Sequence, residues 1–180
     1  YGKVTIIQGD PGEGKTTMVL QIIAKLTRGE TILPADSTKD KRIDIDSESD
    51  MVDAENIENN ASTQHLEAPV NVIYQTAEDG LGDTIKPRLL AAGADCTKVM
   101  VIDDSEQPLT MADVRLEEAI VQTKARMVVL DPIQGFLGSE VDMHRANEIR
   151  PLMKRIAVLA EKYHCAIILI GHMNKNSNGK

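Results

Sequence analysis

The run Gly9-Asp10-Pro11-Gly12-Glu13-Gly14-Lys15-Thr16 has the spacing G-x-x-x-x-G-K-[ST], and it falls between an apolar strand-like segment and a helix-like one. Glycines at these positions let the backbone curl so that successive N–H groups point inward at phosphate oxygens. A helix starting at once behind them adds the positive end of its dipole. In that geometry Lys15 reaches β- and γ-phosphates, Thr16 offers its hydroxyl to Mg²⁺, and Thr17 closes the phosphate-binding stretch. The chemistry so implied is the grip of a nucleoside triphosphate, with ATP and Mg²⁺ as the expected ligands.

Three further groups could act on such a tail. Met127-Val128-Val129-Leu130-Asp131 is an apolar run ending in a carboxylate, a form suited to holding Mg²⁺ directly or through water. The same Asp131 could instead cap a strand end before Pro132. Glu78 and Asp79 follow Val72-Ile73-Tyr74-Gln75-Thr76-Ala77, and a hydrolytic site needs a carboxylate that polarises the attacking water. Glu78 is the first candidate and Asp79 the alternative, against a plain acidic turn. His172, after Ile168-Leu169-Ile170-Gly171, fits a polar group that senses the γ-phosphate, or is a half-exposed strand-end histidine. Lys175 could neutralise phosphate in a neighbouring subunit. The other histidines, His65, His144 and His164, have no metal-ligand spacing.

These residues need a scaffold that brings distant segments to one end. Continuous apolar runs at Lys3 to Ile7, Val70 to Gln75, Lys98 to Ile102, Arg126 to Leu130 and Ala166 to Ile170 predict strands buried on both faces, hence a parallel sheet. Helical periods lie between them. Met18, Val19, Ile22, Ile23 and Leu26 share one face, with Gly29 as a left-handed stop. Ile85, Leu89 and Leu90 predict a shorter helix with Asp83 as N-cap and Gly93 as stop, and Thr110 with Asp113 predicts a capping box before Val114, Leu116, Ile120 and Val121. A last stripe holds Leu152, Met153, Ile156, Leu159, Ala160 and Tyr163, with Pro151 near its first turn or at a kink. Right-handed crossovers then give a three-layer α/β sandwich, with its crevice at the carboxyl ends of the strands.

The chain has the length of one domain, expected to span 1–180, and its net charge of −8 is unevenly spread. Residues 36–69 hold ten acids against three bases, leaving 18 acids and 17 bases elsewhere, so nucleic acid is permitted as a partner. Residues 30–69 show no sustained apolar period and are expected to form a solvated, mobile insertion. Both ends read as clipped. No stretch reaches the roughly 18 apolar residues of a membrane span, and the expected location is the cytoplasm. Cys96 and Cys165 read as buried small hydrophobes.

Taken together, Gly9 to Thr16, Gln75-Thr76-Ala77-Glu78-Asp79, Arg88 to Asp95, Val129-Leu130-Asp131-Pro132 and Gly171-His172-Met173-Asn174-Lys175 resemble the RecA-like, AAA-type ATPases of the plasmid replicative helicase RepA group. The phosphate loop is also similar to that of the DNA-repair ATPase RadA. The resemblance covers nearly all of the chain outside 30–69. It implies Lys15 and Thr16 on phosphate and Mg²⁺, Glu78 as catalytic carboxylate, Asp131 as the Walker B acid and His172 as γ-phosphate sensor. It also implies a homo-oligomeric ring, usually a hexamer, with ATP between subunits and single-stranded DNA in the centre. The residues read here show neither RadA's four-cysteine zinc element nor its further domain, so the chain is not expected to be RadA itself. The family's arginine finger lies beyond the last strand read here, so the core is expected to bind ATP and hydrolyse it weakly.

The resemblance leads to a DNA-handling motor in replication, repair or recombination. An ATP-dependent assembly switch is the alternative, and a small-molecule kinase fits less well, since it would lack the water-polarising glutamate and carry a basic lid. Stacking platforms for single strands are scarce. Phe136, in Gln134-Gly135-Phe136-Leu137-Gly138, is either a strand contact or a core anchor.

Overall fold

Five runs of apolar residues form a single parallel sheet because helices cover both of its faces. The computed structural model describes residues 1–32, 68–139, 141–142 and 145–172. In chain order the elements are β1 (Val4–Gly9), α1 (Lys15–Arg28), β2 (Val72–Thr76), a π-helical turn (Leu81–Ile85) leading into α2 (Lys86–Ala91), β3 (Val99–Met100), α3 (Val114–Thr123), β4 (Met127–Asp131), a 3₁₀ turn (Ile133–Phe136), α4 (Ala146–Lys162) and β5 (Ala166–His172). The order across the sheet is β1-β5-β4-β2-β3, every neighbouring pair parallel. This is the expected three-layer sandwich. The greater part of the acidic stretch, and the tail that carries Lys175, lie outside the described residues.

Successive strand residues point to opposite faces, so each apolar run feeds two cores. Val72, Tyr74, Met127, Val129 and Ile170 meet Val19, Leu20, Ile23 and Leu26 of α1 and Ile85 and Leu89 at α2. Ile73, Val128, Leu130, Ile167 and Leu169 meet Leu116 and Ile120 of α3 and Ile156 and Leu159 of α4. Each fully buried aliphatic side chain contributes roughly 1.5–3 kcal/mol. Substituting Val128, fully buried between α3 and α4, with aspartate would therefore break the sheet's packing at its centre.

Several local expectations are corrected. Asp83 does not cap a helix: Gly80, in extended conformation, precedes the π-helical turn, and Asp83 sits within that turn. Asp113 itself is the N-cap of α3, its carboxylate accepting from the Arg115 N–H at 2.9 Å, so Thr110 is no part of a capping box. On the helix faces, Met18, Leu90, Val114 and Val121 are exposed, while Leu20 joins the core. Pro151, expected near the start of its helix, lies inside α4, just past the first turn from Ala146. Cys165 is buried, with its thiol pushed up to about 12 by desolvation, but Cys96 is only half-buried.

The third strand is shorter than expected for an identifiable reason. The buried Gln75 amide donates to the Ile102 carbonyl at 2.9 Å and accepts the Ile102 N–H at 3.1 Å. A side chain thus takes the place of a neighbouring peptide, and the backbone ladder between β2 and β3 stops at Met100.

Candidate functional site

The sheet register brings the chemistry-bearing residues to one edge. Gly9 stands opposite His172 across β1 and β5, and Thr76 stands opposite Asp131 across β2 and β4. All four lie at the carboxyl ends of their strands, where a parallel sheet opens its crevice.

Between β1 and α1 the chain makes its curl through Gly12 at φ 85° and Gly14 at φ 80°, both left-handed. A Cβ at either position would meet nothing within 4 Å, so the backbone angle and not crowding calls for glycine. Helix α1 begins with no side-chain cap and no acid in its first turn. Its first N–H groups are left for an outside acceptor, and the dipole favours an anion there. The loop from Pro11 to Gly14 is exposed, and the Glu13 carboxylate folds back to accept the Asp10 N–H at 2.8 Å, holding the curl.

Lys15 is 8% exposed, and its Nζ donates to the carbonyls of Gly9 at 2.9 Å and Asp10 at 2.7 Å. The ammonium is stored against the loop within the cradle. Thr16 Oγ1 donates to Asp131 Oδ2 at 2.7 Å, joining two residues 115 positions apart. A hydroxyl beside a carboxylate is a pair of hard oxygen donors, and this fits Mg²⁺. Asp131 is buried at 5% exposure and accepts a second bond on the same oxygen, from the Tyr74 hydroxyl at 2.8 Å. Burial first, and then the Asp131 charge, raise the Tyr74 hydroxyl far above its ordinary pKa, so it remains a donor.

Glu78 and His172 are brought together: Glu78 Oε2 lies 3.3 Å from His172 Nε2. The turn that carries Glu78 is shaped by Thr76, whose Oγ1 accepts the N–H groups of Glu78 and Asp79 at 3.4 and 3.1 Å. It is anchored to β4 by the Ala77 N–H donating to the Asp131 carbonyl at 3.0 Å. Glu78 is largely exposed, as a group that must meet water requires. Asp79, the alternative acid, is instead paired with Arg88 at 3.7 Å.

Two contributors to this edge went unread in the sequence. Arg88 donates to Thr17 Oγ1 at 2.9 Å and lines a cleft of about 230 Å³ with Gly12, Gly14, Lys15, Thr16, Thr17 and His172. An arginine on a short helix has no spacing signature; its only signal was membership of the segment Arg88 to Asp95. Gln134 donates to the His172 carbonyl at 3.1 Å, tying the loop after β4 to the end of β5, while His172 Nδ1 is buried with no hydrogen-bond partner among the described residues. Phe136, left open between strand contact and core anchor, is a core residue: it is 1% exposed and packs in the α3/α4 core. Lys175 lies outside the described residues. Wider clefts occur elsewhere: one of about 490 Å³ beside Ile22, Met127 and Ile168 has mostly apolar walls, and one of about 480 Å³ along α4 is lined by Glu117, Lys154, Arg155 and Lys162.

Comparison with known proteins agrees with this geometry. The family described as an AAA domain matches residues 1–178. Among curated proteins, none matches the sequence. Among solved structures, a KaiC-like protein of the hyperthermophilic archaeon Pyrococcus horikoshii aligns with a TM-score of 0.56 at 13% identity, over 96% of this chain. The chain spans 63% of the length of that structure, and the likeness is one of fold, the RecA-like α/β P-loop architecture. Among the described residues, no helix is long and apolar enough to cross a membrane.

Proposed function

Since the chain belongs to the AAA domain family, we propose that it is a Mg-ATP-hydrolysing, RecA-like motor domain of the RepA helicase type, acting on DNA in replication, repair or recombination. The observation that carries the ATPase reading is the 2.7 Å bond between Thr16 and Asp131 at the foot of an exposed, left-handed glycine curl. A glycine-rich turn with an incidental lysine has no reason to direct a hydroxyl at a buried carboxylate at the end of another strand.

In this reading the amides of Gly12 to Thr16 and the α1 N-terminus receive the β- and γ-phosphates, and the Lys15 ammonium leaves the Gly9 and Asp10 carbonyls for phosphate oxygens. Thr16 and Asp131 would hold Mg²⁺, which when bound neutralises charge on the phosphate tail. The cleft of about 230 Å³, lined by the glycine curl, Arg88 and His172, is where the phosphate tail would sit. Glu78 orients water in line with the γ-phosphate. His172, on the neighbouring strand end, exchanges its contact with Glu78 for the γ-phosphate and passes the change to the loop held by Gln134.

The DNA part of the proposal is supported by the motif resemblance, with a homo-hexameric ring around a single strand as the implied assembly. Phosphate release measured with and without single-stranded DNA tests it. Stimulation by DNA is the expected result. Turnover indifferent to DNA would overturn the motor in favour of an ATP-driven assembly switch, and absence of Mg-ATP binding would overturn the whole reading.

A further inference from the structure

Most positions in the middle of β2 and β4 are aliphatic, as two-sided burial demands, yet Tyr74 places a hydroxyl in that interior. The residue is fully buried, in a cluster with Val19, Leu20, Ile85 and Leu89. An aliphatic side chain would fill core space without bringing a polar atom out of water, and an unsatisfied buried hydroxyl is costly. Among the described residues the hydroxyl has one partner, Asp131 Oδ2 at 2.8 Å.

We propose that Tyr74 is a positioning residue for the metal-holding carboxylate: its ring, clamped by the core, points a fixed donor at Asp131 Oδ2 and so sets the rotation of that carboxylate toward Thr16. This rests on the ATPase reading above and deepens it. The geometry favours a directing role for three reasons. Tyrosine has only two side-chain torsions, and here the ring is fully buried in the cluster that α1 and α2 form over the sheet. The bond converges on the same oxygen that Thr16 meets at 2.7 Å, so it bears on the very atom that pairs the strand with the phosphate loop. Finally, the two donors approach from different elements, Thr16 from α1 and Tyr74 from β2, so that Thr16 can turn to a ligand while the carboxylate stays oriented. Hydrogen-bond partners behind a metal ligand orient it in this manner in protein metal sites generally.

The test is the metal dependence of nucleotide binding, measured by calorimetric titration of ADP at graded Mg²⁺ into wild type, Tyr74→Phe and Asp131→Asn, with ADP in the presence of a chelator as the control. Tyr74→Phe keeps the ring and removes only the donor. The expected result is a rise of about 10-fold in the Mg²⁺ concentration at half-saturation, the lower end of the cost of losing a ligand's outer partner. Binding of metal-free ADP should be unchanged, and Asp131→Asn should set the upper limit of the shift. A Tyr74→Phe curve superimposable on wild type overturns the proposal. Equal loss of metal-free ADP binding also overturns it, because the hydroxyl would then act on the fold alone. Should wild type itself bind ADP without any Mg²⁺ dependence, the assignment of Thr16 and Asp131 fails first, a different and distinguishable result.

Discussion

Replacing Lys15 by methionine retains an unbranched apolar stem and removes only the ammonium. In the free protein that ammonium donates to the carbonyls of Gly9 and Asp10 at 2.9 and 2.7 Å. When a triphosphate enters, the same two donations pass to anionic oxygens, so what the nucleotide gains is the difference between charged and neutral acceptors. A hydrogen bond with a charged partner is worth about 1.5–3 kcal/mol against about 1 kcal/mol for a neutral one. Two such exchanges, at a lysine that is 8% exposed, amount to about 1–4 kcal/mol, a loss of affinity of roughly 5- to 900-fold. The free protein should also melt at a lower temperature, because the two loop carbonyls lose their charged donor. Titration of a fluorescent, non-hydrolysable ATP analogue into wild type and Lys15→Met, with melting curves of both unliganded proteins, measures the two effects separately. If the affinity is unchanged while the melting temperature falls, the lysine is a structural staple of the loop and the account of phosphate binding is refuted.

Two other outcomes follow from the same geometry. Glu78→Gln should lower phosphate release by about 100-fold or more while leaving nucleotide affinity intact, since removal of a general base costs that much; steady-state turnover equal to wild type would dismiss Glu78 in favour of another acid. Arg88→Ala should weaken ADP binding about 10-fold through loss of a charged donor at the cleft, and its exposed pair with Asp79 means the melting temperature should hardly move. Loss of stability without loss of affinity would place Arg88 among the fold's supports.

Much of this architecture was legible because it rests on local requirements. The left-handed angles at Gly12, Gly14 and Gly29 are demands that a few neighbouring residues impose on each other, and the continuous apolar runs announce strands covered on both faces. Helix ends were less legible. Asp83 and Thr110 are acceptable caps by residue type, but the chain enters α2 through a π-helical turn and α3 through Asp113. The extent of β3 was not legible either, since it is ended by a side chain from another strand, Gln75.

From the order of its residues alone, this chain determined a phosphate-gripping turn, a parallel sheet and the acids and histidine that could attend it. Which of those groups meet was decided by the tertiary structure. Thr16 finds Asp131, and Glu78 finds His172, only because β5 and β4 insert between β1 and β2 with their carboxyl ends in register. The same placement buried Phe136 and recruited Tyr74 and Arg88. The physical reason is one of range. A turn's conformation is settled by sterics within a few bonds, whereas a hydrogen bond across 115 residues depends on strand order and helix packing, which no single segment encodes.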